Sequence, residues 1–203
     1  MLRLATSICF FLTSAAATIS ASSIPAFSVS AGTVDYMQFQ STIGDQFFTS
    51  QAITVTNLGA YSISGLAESY PVGLWDSSGN LLASANVPAT GLSNQFIYVP
   101  VTPVFLPAGQ YFNIGELVNS TATWLARPLV QAAPQISFGI GLYDDTFSPV
   151  LTDPLSATIG FGGSFGPSFE FTFVPPIITP EPATGWLIGI IAPLALVLRR
   201  RIQ

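Results

Sequence analysis

The chain has 203 residues, enough for one folded domain with a core, but only 7% of them are charged, far below the share in typical soluble domains. It contains ten acidic residues, five arginines and no lysine or histidine, which gives a net charge of -5. Arg127 is the only base between residues 22 and 180, so the body lacks the basic patch that phosphate binding needs, and nucleic acid is excluded as a partner.

Residues 1–21, "MLRLATSICFFLTSAAATISA", have the layout of a secretory signal peptide. Arg3 precedes an apolar centre from Ile8 to Leu12, and small residues follow. The alternative is a buried strand or a membrane anchor, but the apolar centre is too short to span a bilayer. We therefore expect export by Sec-type machinery and cleavage between Ala15 and Ser23. Cleavage removes Cys9, the only cysteine, and leaves a body without disulfides, zinc thiolates or a cysteine nucleophile.

Residues 22–178 form the predicted body. Short runs of Val, Ile, Phe, Tyr and Thr alternate with Gly, Pro, Asn and Ser at a spacing of about ten residues, which predicts an all-β fold, an antiparallel β-sandwich of jelly-roll type. The clearest unit is a hairpin over residues 70–88. In its turn, Asp76 is expected to cap backbone amides and Gly79 to adopt a positive φ.

Further strands are predicted on both sides of this hairpin. Period-two alternation marks a strand across Ile53, Val55 and Leu58. Residues 94–115 predict a strand, a proline-marked edge and another strand, with a turn at residues 107–109. Later strands are expected from Ile136, from Leu155 and from Ser168. In the last of these, one face carries three rings, namely Phe169, Phe171 and Phe173.

The order of segments over residues 52–115, "ITVTNLG", "VGLWDSSGNLLASA", "FIYVPV" and "LPAGQYFNIG", resembles a β-sandwich domain of unknown function found in secreted bacterial proteins. The resemblance implies the fold and transfers no catalytic residue.

Acidic residues are the available candidates for catalysis. The body has no histidine, lysine or cysteine, so nucleophilic triads and Schiff-base chemistry lack their usual groups. A glycosidase needs two carboxylates about 5 to 10 Å apart. The alternative is that isolated acids cap turns and keep the surface soluble, which we favour, predicting a protein that is not an enzyme. The candidates for such a pair are Asp76, Glu116, Asp144, Asp145, Asp153 and Glu170.

The densest acidic cluster, "LYDDTFSPVLTDP", contains Asp144, Asp145 and Asp153. Calcium prefers carboxylate and carbonyl oxygens from loops, so these residues are candidate ligands of an extracellular calcium ion. Their spacing fits no EF-hand, and two ordinary Asp-rich turns are the favoured interpretation. We therefore expect no resident cofactor.

Two tryptophans are candidates for stacking on sugar rings. Trp75 lies in an apolar strand, which favours a buried position. Trp124 is expected on a loop beside Arg127, where the pair suits a cation–π contact or a sugar platform. Trp124 and Arg127 are thus the predicted ligand platform if the body binds extracellular polysaccharide.

Residues 179–203 have three parts. Pro180 and Pro182 flank Glu181 and hold the chain extended, an apolar stretch then predicts a transmembrane helix at about residues 184–198, and an arginine cluster follows. The stretch is shorter than the ~20 residues that usually span the hydrocarbon core. An interfacial Trp186 and snorkelling arginines nevertheless favour the membrane, with the C-terminus in the cytoplasm. The cluster consists of Arg199, Arg200 and Arg201.

The order of these parts resembles the PEP-CTERM sorting signal of bacterial envelope proteins. The resemblance implies that an exosortase-type membrane protease recognises Pro180, Glu181 and Pro182, and that the protein is anchored in the inner membrane until it is processed. We therefore expect an exported envelope or extracellular-matrix protein with a structural or adhesive body. A carbohydrate-binding module and a glycan-active enzyme are the alternatives.

Overall fold

The computed structural model describes residues 22–29, 33–36, 40–119, 123–126, 130–157 and 164–173, with the backbone alone at 33–36, 123–126, 157 and 164–165. All of them belong to the first of two compact units of the chain, Met1–Phe173 and Val174–Gln203. The predicted signal peptide and the predicted sorting tail lie outside the described residues. Within the described ranges, no helix is long and apolar enough to cross a membrane.

The described residues form strands and no helix, which confirms the all-β prediction. The strands are β1 (Ile24–Pro25), β2 (Phe27–Val29), β3 (Thr33–Tyr36), β4 (Ser41–Thr49), β5 (Ile53–Ser62), β6 (Tyr70–Asp76), β7 (Leu81–Val87), β8 (Gln95–Leu106), β9 (Gln110–Val118), β10 (Thr123–Ala126), β11 (Val130–Ala132), β12 (Ile136–Tyr143), β13 (Ser156–Ala157), β14 (Ser164–Phe165) and β15 (Pro167–Thr172).

Two larger sheets account for most of the strands. One has four strands in the order β1-β15-β5-β8, and the other has six in the order β13-β12-β4-β9-β6-β7. Two small sheets, β14-β10-β3 and β11-β2, complete the set described. Every strand pairing among them is antiparallel, as predicted.

The predicted hairpin is confirmed as β6 and β7. The Oδ1 atom of Asp76 accepts hydrogen bonds from the backbone amides of Ser78 at 2.8 Å and Asn80 at 3.0 Å. Gly79 has a φ of 82°, a conformation that glycine adopts without steric cost. The turn is therefore held by hydrogen bonds among its own residues.

Most of the other predicted strands also form. β5, β8, β9, β12 and β15 lie where the sequence places them, and β8, with Pro100 and Pro103, is last in the order of its sheet, where proline costs no ladder hydrogen bond. The strand predicted from Leu155 is described only as the two-residue β13. Phe169 and Phe171 are fully buried, whereas Phe173 is half-buried beyond the end of β15.

Among the described residues, one hydrophobic core cluster contains side chains from both large sheets. We call the sheet faces that line it the core faces. The ring of Phe47 on β4 lies 4.8 Å from that of Phe169 on β15, and the ring of Phe27 contacts both at 6.3 and 5.9 Å. Burying each of these side chains stabilises the fold by about 1.5–3 kcal/mol.

The opposite face of the six-stranded sheet is also covered in part. Gly115 pairs with Gly44 on one side and with Gly73 on the other, forming a row of three glycines across β4, β9 and β6. The indole of Trp75 lies against Gly73, and Pro154 lies against Gly115. Trp75 is therefore buried, as predicted, but on this covered face and outside the main core cluster.

Candidate functional site

Two acidic side chains lie on the core face of the six-stranded sheet. On β4, Asp45 alternates with the core residues Ile43 and Phe47, and on β9 Glu116 follows Ile114 with the same period of two. Asp45 pairs with Ile114, and Ile43 pairs with Glu116. Asp45 and Glu116 are thus diagonal neighbours on one face, a relation that brings long side chains within reach of each other.

Burial dominates the electrostatics of this acid pair, Asp45 and Glu116. Asp45 is 0% exposed, and neither of its carboxyl oxygens has a hydrogen-bond partner. Burial raises the pKa of Asp45 well above its ordinary value, and the nearby Glu116 raises it further. Burial also raises the pKa of Glu116 to about 8. Both shifts favour the protonated, neutral carboxyl groups.

Tyr70 on β6 belongs to the same surroundings. Burial, then the charge of Glu116, then that of Glu68, raise the pKa of its hydroxyl to about 12. The contact of Glu116 with Gly166 is so close that a Cβ atom at position 166 would overlap Oε1 of Glu116. The acid pair is buried in the described structure, so its protonation is coupled to folding.

Sequence reasoning found Glu116 as a candidate carboxylate but missed Asp45. The signal was present in the alternation of Ile43, Asp45 and Phe47, which places the aspartate on the core face. Because a charged residue is rarely buried without a partner, this alternation did not lead to a prediction that Asp45 is buried.

Asp76 and Asp144, two other candidate carboxylates, stabilise turns. Asp76 holds the β6–β7 turn, and its hydrogen bonds with Asn80 lower its pKa. Asp144 accepts hydrogen bonds from the backbone and hydroxyl of Thr146 at 2.9 and 2.6 Å and from the hydroxyl of Thr152 at 2.8 Å. Although burial opposes it, these bonds lower the pKa of Asp144. Both carboxylates are engaged by their own loops.

The predicted calcium ligands do not come together. Asp144 organises the loop of residues 144–155, Asp145 is exposed, and Asp153 accepts a hydrogen bond from Nδ2 of Asn113 at 3.0 Å. Within the part of the chain that the structure describes, no group of three or more His, Cys, Asp or Glu side chains is placed to hold a metal ion.

The structure corrects the position predicted for Trp124. This residue lies on β10, the central strand of the sheet β14-β10-β3, and not on a loop. Its pairing partner on β3 is Asp35. Arg127 and the sorting-motif residues Pro180, Glu181 and Pro182 lie outside the described residues, as does the arginine cluster 199–201. Glu170, the remaining carboxylate candidate, is half-buried on β15.

An aromatic group that the sequence analysis did not identify lies on the four-stranded sheet, at positions that alternate with the buried Leu58 and Ala60 on β5, and two of its members also pack against the core cluster. It consists of Tyr61 on β5 and of Phe96 and Tyr98 on β8. The rings of Tyr61 and Phe96 are 5.0 Å apart, and those of Phe96 and Tyr98 are 5.7 Å apart with 28° between their planes. All three side chains are half-buried. We call this group the aromatic row.

Comparison with known proteins adds no family to these observations. No protein-family model matches the chain, and no curated protein sequence matches it significantly.

Proposed function

We propose that this is an exported envelope or extracellular-matrix protein that an exosortase-type membrane protease sorts through its C-terminal tail. The observation that carries the proposal is the three-part tail of residues 179–203, together with the signal-peptide pattern of residues 1–21 at the other end. Sec-type export would deliver the body to the outside, and the tail would hold the chain in the inner membrane until it is processed.

We further propose that the body is a β-sandwich of jelly-roll type with a structural or adhesive role and no catalytic activity. Antiparallel sheets that share one hydrophobic core support the sandwich. The positions of the acids support the absence of catalysis, since Asp76 and Asp144 are engaged in turns while Asp45 and Glu116 are sealed in the core. A fold of this kind presents whole sheet faces for attachment.

Carbohydrate binding is the second candidate function of the body. The aromatic row favours it, because half-exposed rings beside polar side chains are a typical surface for sugar recognition. This function is compatible with sorting, since an extracellular adhesive body needs a ligand outside the cell.

Mass spectrometry of the C-terminal peptide tests the sorting proposal. In protein recovered from the medium and the envelope, we expect chains that end near Pro182. We expect Glu181→Gln to block processing, because Glu181 carries the only charge between the two prolines and is the expected specificity contact.

Glu68→Gln is the matched control, since it removes an exposed carboxylate from the body and should leave processing intact. A chain that keeps its terminal "LRRRIQ" in every fraction would show that the tail is a permanent anchor. Normal processing of the Glu181→Gln protein would remove Glu181 as the specificity contact.

A further inference from the structure

The side chain of Tyr98 spans three strands. Tyr98 on β8 pairs with Gly59 on β5, and Gly59 pairs in turn with Ser168 on β15. A Cβ atom at Gly59 would come within 2.5 Å of Cδ1 of Tyr98, so the ring covers the space that any other residue would fill. The Tyr98 hydroxyl is 3.2 Å from the hydroxyl of Ser168. Gly59 therefore makes room for an aromatic ring lying on the sheet.

Phe96 extends this surface. It is two residues from Tyr98 on the same strand and hence on the same face, and its ring plane differs by only 28° from that of Tyr98. The two rings are stacked, with their centroids 5.7 Å apart. Tyr61, opposite Phe96 on β5, meets it edge to face and closes one side of the surface.

Polar groups border these rings on the same face. The next row of paired residues contains Pro100, Asn57 and Glu170 in that order across the three strands. Asn57 and Glu170 are half-buried and provide amide and carboxylate groups beside the rings. The surface thus combines an apolar floor with hydrogen-bonding groups at its border.

We propose that this face, formed by Tyr61, Phe96 and Tyr98 with Asn57, Ser168 and Glu170, binds a neutral polysaccharide. A pyranose ring has C–H faces that pack on aromatic rings and hydroxyls at its edges, and the apolar floor with a polar border matches both. Ser168 holds the Tyr98 ring in place through the hydroxyl contact, and Asn57 and Glu170 are positioned for the sugar hydroxyls.

The charge of the face selects a neutral polymer over an anionic one. Glu170 is its charged residue, and the residues that the structure describes contain no lysine, arginine or histidine with which to balance an acidic sugar. Against these residues, an anionic polysaccharide would meet a carboxylate of the same sign with no counter-charge, which disfavours binding. The inference rests on the extracellular location proposed above, since such polymers are found outside the cell.

Pull-down of the purified full-length chain on microcrystalline cellulose and on curdlan, two insoluble neutral glucans, tests this proposal. We expect retention on at least one of them and binding at least about tenfold weaker after Phe96→Ala or Tyr98→Ala. Tyr98→Phe keeps the ring and should retain most of the affinity. The matched control is Tyr111→Ala, which removes an exposed aromatic ring from the six-stranded sheet and should bind like the parent chain.

Chemical-shift mapping with cellohexaose and laminarihexaose measures the same surface without any substitution. Perturbations confined to β5, β8 and β15 would support the proposal. Absence of binding to both glucans, equal losses in the Tyr111→Ala protein, or perturbations centred on β10 would overturn it. The sorting proposal is read from the C-terminal peptide, so either proposal can fail while the other holds.

Discussion

At the scale of single residues, Asn113 and Asp153 share one hydrogen bond, and each side chain keeps one buried oxygen atom without a partner. Nδ2 of Asn113 donates to Oδ1 of Asp153, while Oδ1 of Asn113 and Oδ2 of Asp153 are buried atoms with no partner. Both of these atoms are acceptors when Asp153 is ionised, so no donor is present between them. Burial, and to a smaller degree the charge of Asp76, raises the pKa of Asp153, which favours the protonated form.

We predict that Asp153→Asn stabilises the protein by about 1 kcal/mol at neutral pH. The new amide keeps an acceptor for Nδ2 of Asn113 and supplies a donor that the carboxylate lacks. Because the pKa of Asp153 is raised in the folded state, its ionisation destabilises the fold as pH rises, and the gain should shrink in acid. Urea unfolding at two pH values measures it, with Asp145→Asn as the exposed control. An Asp153→Asn protein less stable than the parent at neutral pH would contradict this account.

At the scale of elements, the row of three glycines accommodates close contacts with neighbouring strands and side chains. A Cβ atom at Gly44 would overlap the backbone carbonyl of Ile114 on β9, and no side-chain movement relieves a contact with backbone. At Gly115, a Cβ atom would come within 2.8 Å of Thr42 and 3.1 Å of Pro154. These glycines are required by close packing, not by an unusual φ.

We predict that Gly44→Ala destabilises the protein by at least about 2 kcal/mol, because the added methyl group forces β4 and β9 apart. Gly91→Ala is the matched control. A Cβ atom at Gly91 has no neighbour within 4 Å, so this change should stay within about 0.5 kcal/mol of the parent. Thermal and urea unfolding give both values, and equal stability of the two variants would show that the strands can separate at little cost.

Local signals in the sequence predicted some of these strands and missed others. The β6–β7 hairpin and strands β5, β8, β9, β12 and β15 were accessible because turn residues and period-two alternation are local signals. The short strands β1, β2, β3, β10 and β11 were not, since two to four residues are too few to show a period. Trp124 was expected on a loop for this reason, although it lies on β10.

The aromatic row also escaped prediction, for a different reason. Phe96 and Tyr98 alternate with Ile97 and Val99, so both faces of β8 read as apolar and the sequence does not say which one meets the core. Gly59 lies between Tyr98 and Ser168 only because β5 lies between β8 and β15, and this strand order is a long-range property. Burial of Asp45 and Glu116 depends on the same long-range packing.

At the scale of the whole molecule, ionisable groups act on stability in opposite directions. Asp76 and Asp144 have lowered pKa values, so their contributions are present above the ordinary aspartate pKa and are lost as pH falls below it. Asp45 and Glu116 have raised pKa values, so their contributions to stability are fully present in acid and are lost as pH rises. The free energy of unfolding should therefore be greatest in mildly acidic solution.

The acid pair accounts for the decrease in the free energy of unfolding as pH rises, and this decrease can be measured. Burial raises the pKa of Glu116 from the ordinary value of 4.5 to about 8, so between these values the unfolded chain loses this proton first. We predict that the free energy of unfolding falls across this window by up to about 1.4 kcal/mol per pH unit for each such group. Glu116→Gln removes one group and should reduce the slope, and adding Asp45→Asn should reduce it further. Asp145→Asn, which changes an exposed carboxylate, should keep the parent slope.

Urea unfolding followed by tryptophan fluorescence from pH 4 to 9 at constant ionic strength measures these slopes. Identical slopes in the parent and the Glu116→Gln protein would mean that Glu116 is already ionised inside the fold.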